Sequence, residues 1–149
     1  FSGANLAESQ HRGSAFRNCT FRRTTLWHSI FTQCSMLGSV FEHCRLRPVT
    51  FDEVDFTLAA LGGNDLRGLD LSGCRLRETS LVETDLRKAV LRGADLSGAR
   101  TVGVRLDDAD LRGATVDPSL WTTASLTGVR VDVPQAMAFA LAHGLRLGG

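Results

Sequence analysis

Tyrosine is absent from this sequence, and 149 residues contain only two tryptophans. That is poor material for a surface that stacks nucleic-acid bases. Neither sign of charge is in excess. Seventeen basic and sixteen acidic residues leave a net charge of +1, which argues against a uniformly basic nucleic-acid binder but leaves local charge free to matter. No apolar run approaches the ~20 residues of a membrane span, so direct nucleic-acid and membrane partners are not expected. The four cysteines show no CxxC spacing. No zinc signature or glycine-rich phosphate loop occurs, so no metal or cofactor is expected. What remains is one domain long enough for a real core. Because the chain opens at Phe1 in mid-repeat, a further N-terminal segment is expected.

What the sequence does have is repetition. The stretch LRGADLSGA, residues 91–99, states one phrase twice at a spacing of five. Five suits neither regular structure: it turns each leucine ~140° around a helix and sends successive side chains to opposite faces of a strand. A chain that buries all of them must bend once per repeat. Counting in fives from Phe1 to Val131 gives 27 centres, of which 25 are apolar, all but His11 and Thr101. At 43% hydrophobic composition, chance would supply about 12. The residue two before each centre is Ala, Ser, Thr, Cys or Val, apart from Asn64, Leu69 and Pro134. One large and one small inward residue per pentad describe a narrow, packed tube stabilised by stacking of turn on turn.

The pentads ADLSG (94–98), ADLRG (109–113), NDLRG (64–68) and TDLRK (84–88) resemble the A(D/N)LXX motif of the pentapeptide repeat family. The resemblance covers residues 1–133. It implies an all-β solenoid, a right-handed quadrilateral β-helix with four pentads per twenty-residue coil. Twenty-seven pentads would make about seven coils, roughly 32 Å at a strand spacing of ~4.8 Å. Seven of the eight phenylalanines are centres between Phe1 and Phe56, whereas Leu dominates from Leu61 to Leu111.

Cys19, Cys34, Cys44 and Cys74 all take the small inward position. Cys34 and Cys74 would lie two coils apart, ~9–10 Å, beyond the Cα limit of a disulfide. They are expected to be buried and reduced, which fits a cytoplasmic protein. His43 should point outward and Cys44 inward, so they form no nucleophile–base pair. A smooth rod offers no cleft for catalytic carboxylates, and no enzyme is expected.

Residues 134–149 leave the repeat. The segment from Asp132 reads as a helix of about eleven residues, with Asp132 as N-cap, Pro134 in the first turn and Gly144 at the stop. One face can plug the end of the rod and cover its strand edges. The apolar surplus, Val133, Met137, Phe139, Ala140, Leu141, Leu145 and Leu147, suggests a two-fold homodimer joined end to end; capping within one chain is the alternative.

Charge is unevenly placed. Residues 1–51 hold two acids and six bases, a net of +4, and residues 52–132 hold fourteen acids and ten bases, a net of −4. Asp55, Asp65, Asp70, Asp85, Asp95 and Asp110 all precede a centre, and Asp107 and Asp108 lie among them. Carboxylates stacked at coil spacing could imitate a phosphate backbone; a merely solvated surface is the alternative.

The runs NLAESQHRGSAFRNCTF (5–21), TTLWHSIFTQCSMLGSVF (24–41), ATVDPSLWTTASL (114–126) and MAFALAHGL (137–145) resemble the mycobacterial fluoroquinolone-resistance branch of the family. That resemblance implies a dimeric DNA mimic that binds DNA gyrase, inhibits it and protects it from fluoroquinolones. It also implies further N-terminal coils and a dimer made by the C-terminal helix. The eight aspartates are then the expected gyrase contacts. The other expectation is a scaffolding repeat protein with a different protein partner.

Overall fold

The computed structural model describes residues 1–148. Its backbone pairs with itself at a constant step of twenty residues. Strands β1 (Gln10–Arg12), β3 (Ile30–Thr32) and β5 (Thr50–Asp52) form one parallel ladder. Strands β2 (Thr20–Arg22) and β4 (Val40–Glu42) form a second, and β6 (Asp95–Leu96) and β7 (Thr115–Val116) a third. Single bridges such as Asn5↔Thr25, Ala15↔Ser35, Val40↔Ala60 and Asp70↔Val90 extend the same step to four faces. The five-residue period is thus converted into a four-sided coil.

The bend comes from the residue two after each centre. From Gly3 to Gly113 every such residue has positive φ except Pro48, including eleven non-glycines up to Lys88 and a twelfth at Asp108. Proline cannot adopt positive φ. The coil continues through Pro48, whereas after Pro118 the chain takes a helical turn instead, α1 (Leu120–Thr123). The five-residue count predicted an unbroken coil there. The count survives, with Trp121 buried at its centre position, but the path does not.

The core has two regions. From Phe1 to Phe51 it contains two aromatic columns: Phe1–Phe21–Phe41 with ring centroids 5.0 and 4.8 Å apart, and His11–Phe31–Phe51 at 4.7 and 5.6 Å. His11 therefore continues an aromatic stack, and its Nε2 lies 2.9 Å from Ser9 Oγ. From Leu61 to Leu111 the core is leucine. The other polar centre, Thr101, is buried and bonded to Thr123 Oγ1 of α1 at 2.9 Å.

Backbone hydrogen bonds divide the rod at the same place. From Phe56 to Leu111 every centre carbonyl accepts from the N–H three residues later, closing its turn. Before Phe56 only Leu6, Leu26 and Met36 do so. At open turns the small inward residue 23 positions later donates instead: Thr24 to Phe1 O, Cys34 to His11 O, Ser39 to Phe16 O, Cys44 to Phe21 O, Asn64 to Phe41 O and Cys74 to Phe51 O. This explains the residue choice. A buried carbonyl without a partner is costly, and at six of the eight open turns before Phe56 a hydroxyl, thiol or amide meets it, Val54 and Leu69 facing the other two at Phe31 and Leu46. Later closed turns are served by Ala89, Ala94, Ala99, Val104, Ala109 and Ala114. All four thiols are free, and burial pushes that of Cys74 up to about 11.

Helix α2 (Val133–Ala142) closes the rod. Asp132 Oδ1 accepts from Gln135 N at 2.9 Å, and Gln135 Oε1 accepts from Asp132 N at 3.0 Å, a capping box. Gln135 Nε2 then donates to Leu111 O and Ala114 O, carbonyls that no further coil covers. Gly144, at φ +79°, ends the helix.

Candidate functional site

Each aspartate before a centre is first of all a turn residue. A carboxylate oxygen of Asp55, Asp65, Asp70, Asp85, Asp95 and Asp110 accepts from the backbone N–H two residues later, at 2.9–3.2 Å. This is an Asx turn. The recurring Asp of the motif therefore has a structural cause.

What remains of each carboxylate depends on its neighbours. Arg67 grips Asp65 through two nitrogens at 2.9 and 2.8 Å and approaches Asp85 at 3.7 Å. Arg47 reaches Asp65 at 3.1 Å, and Arg87 holds Asp85 at 2.7 Å. The result is a ladder of alternating sign along one corner. Arg112 and Arg92 enclose Asp110 at 2.8 and 2.6 Å, and Arg77 lies 3.7 Å from Asp95. The Arg67 guanidinium holds the Asp65 carboxyl well below the usual carboxylate range, and Arg112 does the same to Asp110. Asp85 is lowered by Arg87 and Asp95 by the Ser97 hydroxyl.

The eight predicted aspartates are thus not equivalent. Eight outward, removable charges were expected, but Asp110 is only 7% exposed because two arginines cover it. Asp55, Asp85, Asp95 and Asp107 are half-buried, and Asp107 accepts from Ser125 Oγ and Thr127 N of the next coil. Asp65, Asp70 and Asp108 are exposed. Among the described residues Asp55, Asp70 and Asp108 take no ion pair.

A rule of position separates them. A corner residue faces the residue eighteen positions later, as Arg47 faces Asp65 and Arg92 faces Asp110. The same relation sets Asp52 beside Asp70, acid against acid, and both line one depression. A neighbouring groove of about 760 Å³ adds Glu53 and Asp55, with Arg75 as its one cation. Asp52 and Glu53 were missed because the motif position was followed; the eighteen-residue spacing would have found them.

At the C-terminal end, Val133, Met137, Phe139, Leu141, Leu145 and Leu147 are exposed and Ala140 is half-buried. Phe139 packs edge-on against Trp121 at 6.1 Å, and the His143 ring, 4.3 Å from Phe139, contacts Trp121 O at 2.9 Å. Beside them lies an apolar groove of about 240 Å³ lined by Trp121, Leu126, Val129, Val131, Ala136 and Phe139. Five of those six were not expected, yet three are centres of the last coil, on which no further coil stacks. Among the described residues no group of His, Cys, Asp and Glu could hold a metal ion, and no helix is long and apolar enough to cross a membrane.

Residues 4–81 match the family described as pentapeptide repeat region, and residues 89–117 match pentapeptide repeats (8 copies). The chain is 83% identical over 149 residues to the pentapeptide repeat protein MfpA of Mycobacterium tuberculosis, a match covering 100% of this chain and 81% of that protein. Among solved structures it is similar to full-length QnrB1, a plasmid-mediated fluoroquinolone resistance protein. That likeness has a TM-score of 0.73 and 19% identity, over 97% of this chain and 85% of the other. It is a likeness of fold, the right-handed quadrilateral β-helix.

Proposed function

The chain belongs to the pentapeptide repeat family, and from that premise we propose that it is a cytoplasmic, non-enzymatic DNA mimic. It binds DNA gyrase in place of DNA, inhibits it and protects it from fluoroquinolones. The observation that carries this reading is the acidic face of the rod where Asp52 lies beside Asp70, with Glu53 and Asp55 in the adjoining groove. A basic DNA-binding surface meets there a stiff polyanion that it can neither bend nor cleave. Occupancy slows supercoiling and lowers the number of drug-sensitive gyrase–DNA complexes.

The acidic contact is centred on Asp70 with Asp52, Glu53 and Asp55, because an arginine already neutralises Asp65, Asp85 and Asp110. Residues 134–149 form the dimerisation element. The exposed apolar side chains of α2 and its tail, with the groove beside Trp121, suit a second copy placed end to end. Two rods then present one longer mimic.

The test is DNA supercoiling by purified mycobacterial gyrase, titrated with this protein with and without a fluoroquinolone. Lost supercoiling together with fewer drug-induced cleavage complexes is the expected result. No effect from folded, dimeric protein would sink the gyrase reading and leave a scaffold with another partner.

A further inference from the structure

The eighteen-residue relation also sets arginine against arginine, Arg112 beside Arg130 and Arg87 beside Arg105, where four other arginines meet an aspartate. The second of these pairs gathers further cations. Lys88 adjoins them, and among the described residues neither Lys88 nor Arg105 makes a side-chain hydrogen bond or ion pair. Together with Arg47, Arg67 and Gly68 they line a groove of about 400 Å³, with Asp107 and Asp108 at its far end. A Cβ on Gly68 would meet nothing within 4 Å, so the floor is open. One coil before Arg47, the same corner carries Trp27, 42% exposed.

We propose that this corner, from Trp27 to Arg105, is a docking surface for an acidic polypeptide segment, separate from the acidic surface that faces gyrase. Its cations are held ready. The paired grip of Asp65 on Arg67 and of Asp85 on Arg87 fixes two guanidiniums at coil spacing before any partner arrives. Arg and Trp are also the residue types that anchor protein interfaces. The interleaved Asp65, Asp85, Asp107 and Asp108 decide the class of partner. A nucleic-acid strand carries a charge at every phosphate and would meet a carboxylate on each coil. A polypeptide can set its acids opposite Lys88 and Arg105 and neutral side chains opposite the aspartates. The basic DNA-binding surface of gyrase would be repelled here, so the inference stands apart from the gyrase reading.

The experiment is fluorescence anisotropy of fluorescein-labelled octaglutamate titrated with the full chain at low ionic strength. Binding is expected, weakened at least about tenfold by the double variant Lys88→Glu/Arg105→Glu, by added salt as well, and unchanged by Arg17→Glu on another corner. Circular dichroism should show the double variant folded, since neither side chain holds another. Its inhibition of gyrase should equal the parent's. No binding by the parent, equal binding by the double variant, or tighter binding of an oligothymidylate of equal charge would each overturn the proposal. Loss of gyrase inhibition with the double variant would also overturn it, by placing the groove in the gyrase contact.

Discussion

Between Phe1 and Phe51 the rod stacks rings over strands, leaves most of its turns open and satisfies six centre carbonyls with side chains from the next coil. Between Phe56 and Leu111 it closes every turn through the backbone and packs leucine over alanine. Both regions keep the twenty-residue step. Where the centre carbonyl bonds to its own turn, the small inward residue can be Ala; where the turn is open, that residue donates in six cases of eight, with Val54 and Leu69 at the other two. The charge divides near the same boundary, since the paired aspartates all lie in the leucine region. One repeat length thus supports two internal chemistries and two kinds of surface.

The sharpest break of this comparison is in the core. Phe31, fully buried between His11 and Phe51, should cost about 3–5 kcal/mol when changed to Ala, and Leu86 about 2–5 kcal/mol. Urea denaturation of both variants measures the difference. A larger loss at Leu86 would reverse the order expected of the two regions.

Next comes the carbonyl rule. Asn64 donates to Phe41 O at 2.8 Å, a carbonyl with no turn bond, whereas Thr79 donates to Phe56 O, which also accepts from Ala59 N. Asn64→Leu should therefore cost about 1–3 kcal/mol, and Thr79→Val only about 0.5–1.5 kcal/mol. Equal losses in the same denaturation experiment would show that the turn bond is no substitute for the side-chain donor.

The comparison also shows what could be read from the letters. The register, the small inward site, the Asp132 cap and the Gly144 stop are local patterns; the first two appear where five-residue counting puts them, and the last two where helix-end chemistry does. The helical turn at Leu120 was not legible, because the count treats Pro118 as one more outward residue and ignores its fixed φ. Nor was the inequality of the aspartates. An arginine two residues later holds Asp65, Asp85 and Asp110 within one stretch of chain, but Arg47 and Arg92 reach Asp65 and Asp110 from eighteen positions earlier, adjacent only across a coil. The donor role of the cysteines lay hidden for the same reason, since their acceptors are 23 residues earlier.

On the surface, the acidic residues can be divided by function. Asp52→Asn/Asp70→Asn should weaken gyrase inhibition about tenfold, since both charges lack an arginine within ion-pair range among the described residues. Asp65→Asn/Asp85→Asn should weaken it only about twofold, because Arg47, Arg67 and Arg87 already offset those carboxylates. Asparagine keeps the acceptor for the turn N–H, so both variants should stay folded. Reversal of the order in a supercoiling titration would place the contact on the ladder instead.

The smallest effect is a difference in acid response. Asp65, Asp85, Asp95 and Asp110 all have carboxyls held below their ordinary value, and all belong to the leucine region. In the unfolded chain an aspartate titrates near pH ~3.9. Below that value the unfolded chain binds protons that the folded one still refuses, so stability falls as pH falls. Above it the contribution is fully present. The urea midpoint should therefore be level from neutral pH down to about pH 5 and decline below about pH 4. Solvent at Asp65 and Asp95 screens part of the effect, and the two arginines around the covered Asp110 make it the main contributor. Asp110→Asn should flatten the acid limb. An acid limb that Asp110→Asn leaves as steep as the parent's would show that the covered Asp110 is not the main contributor and assign the limb to other groups.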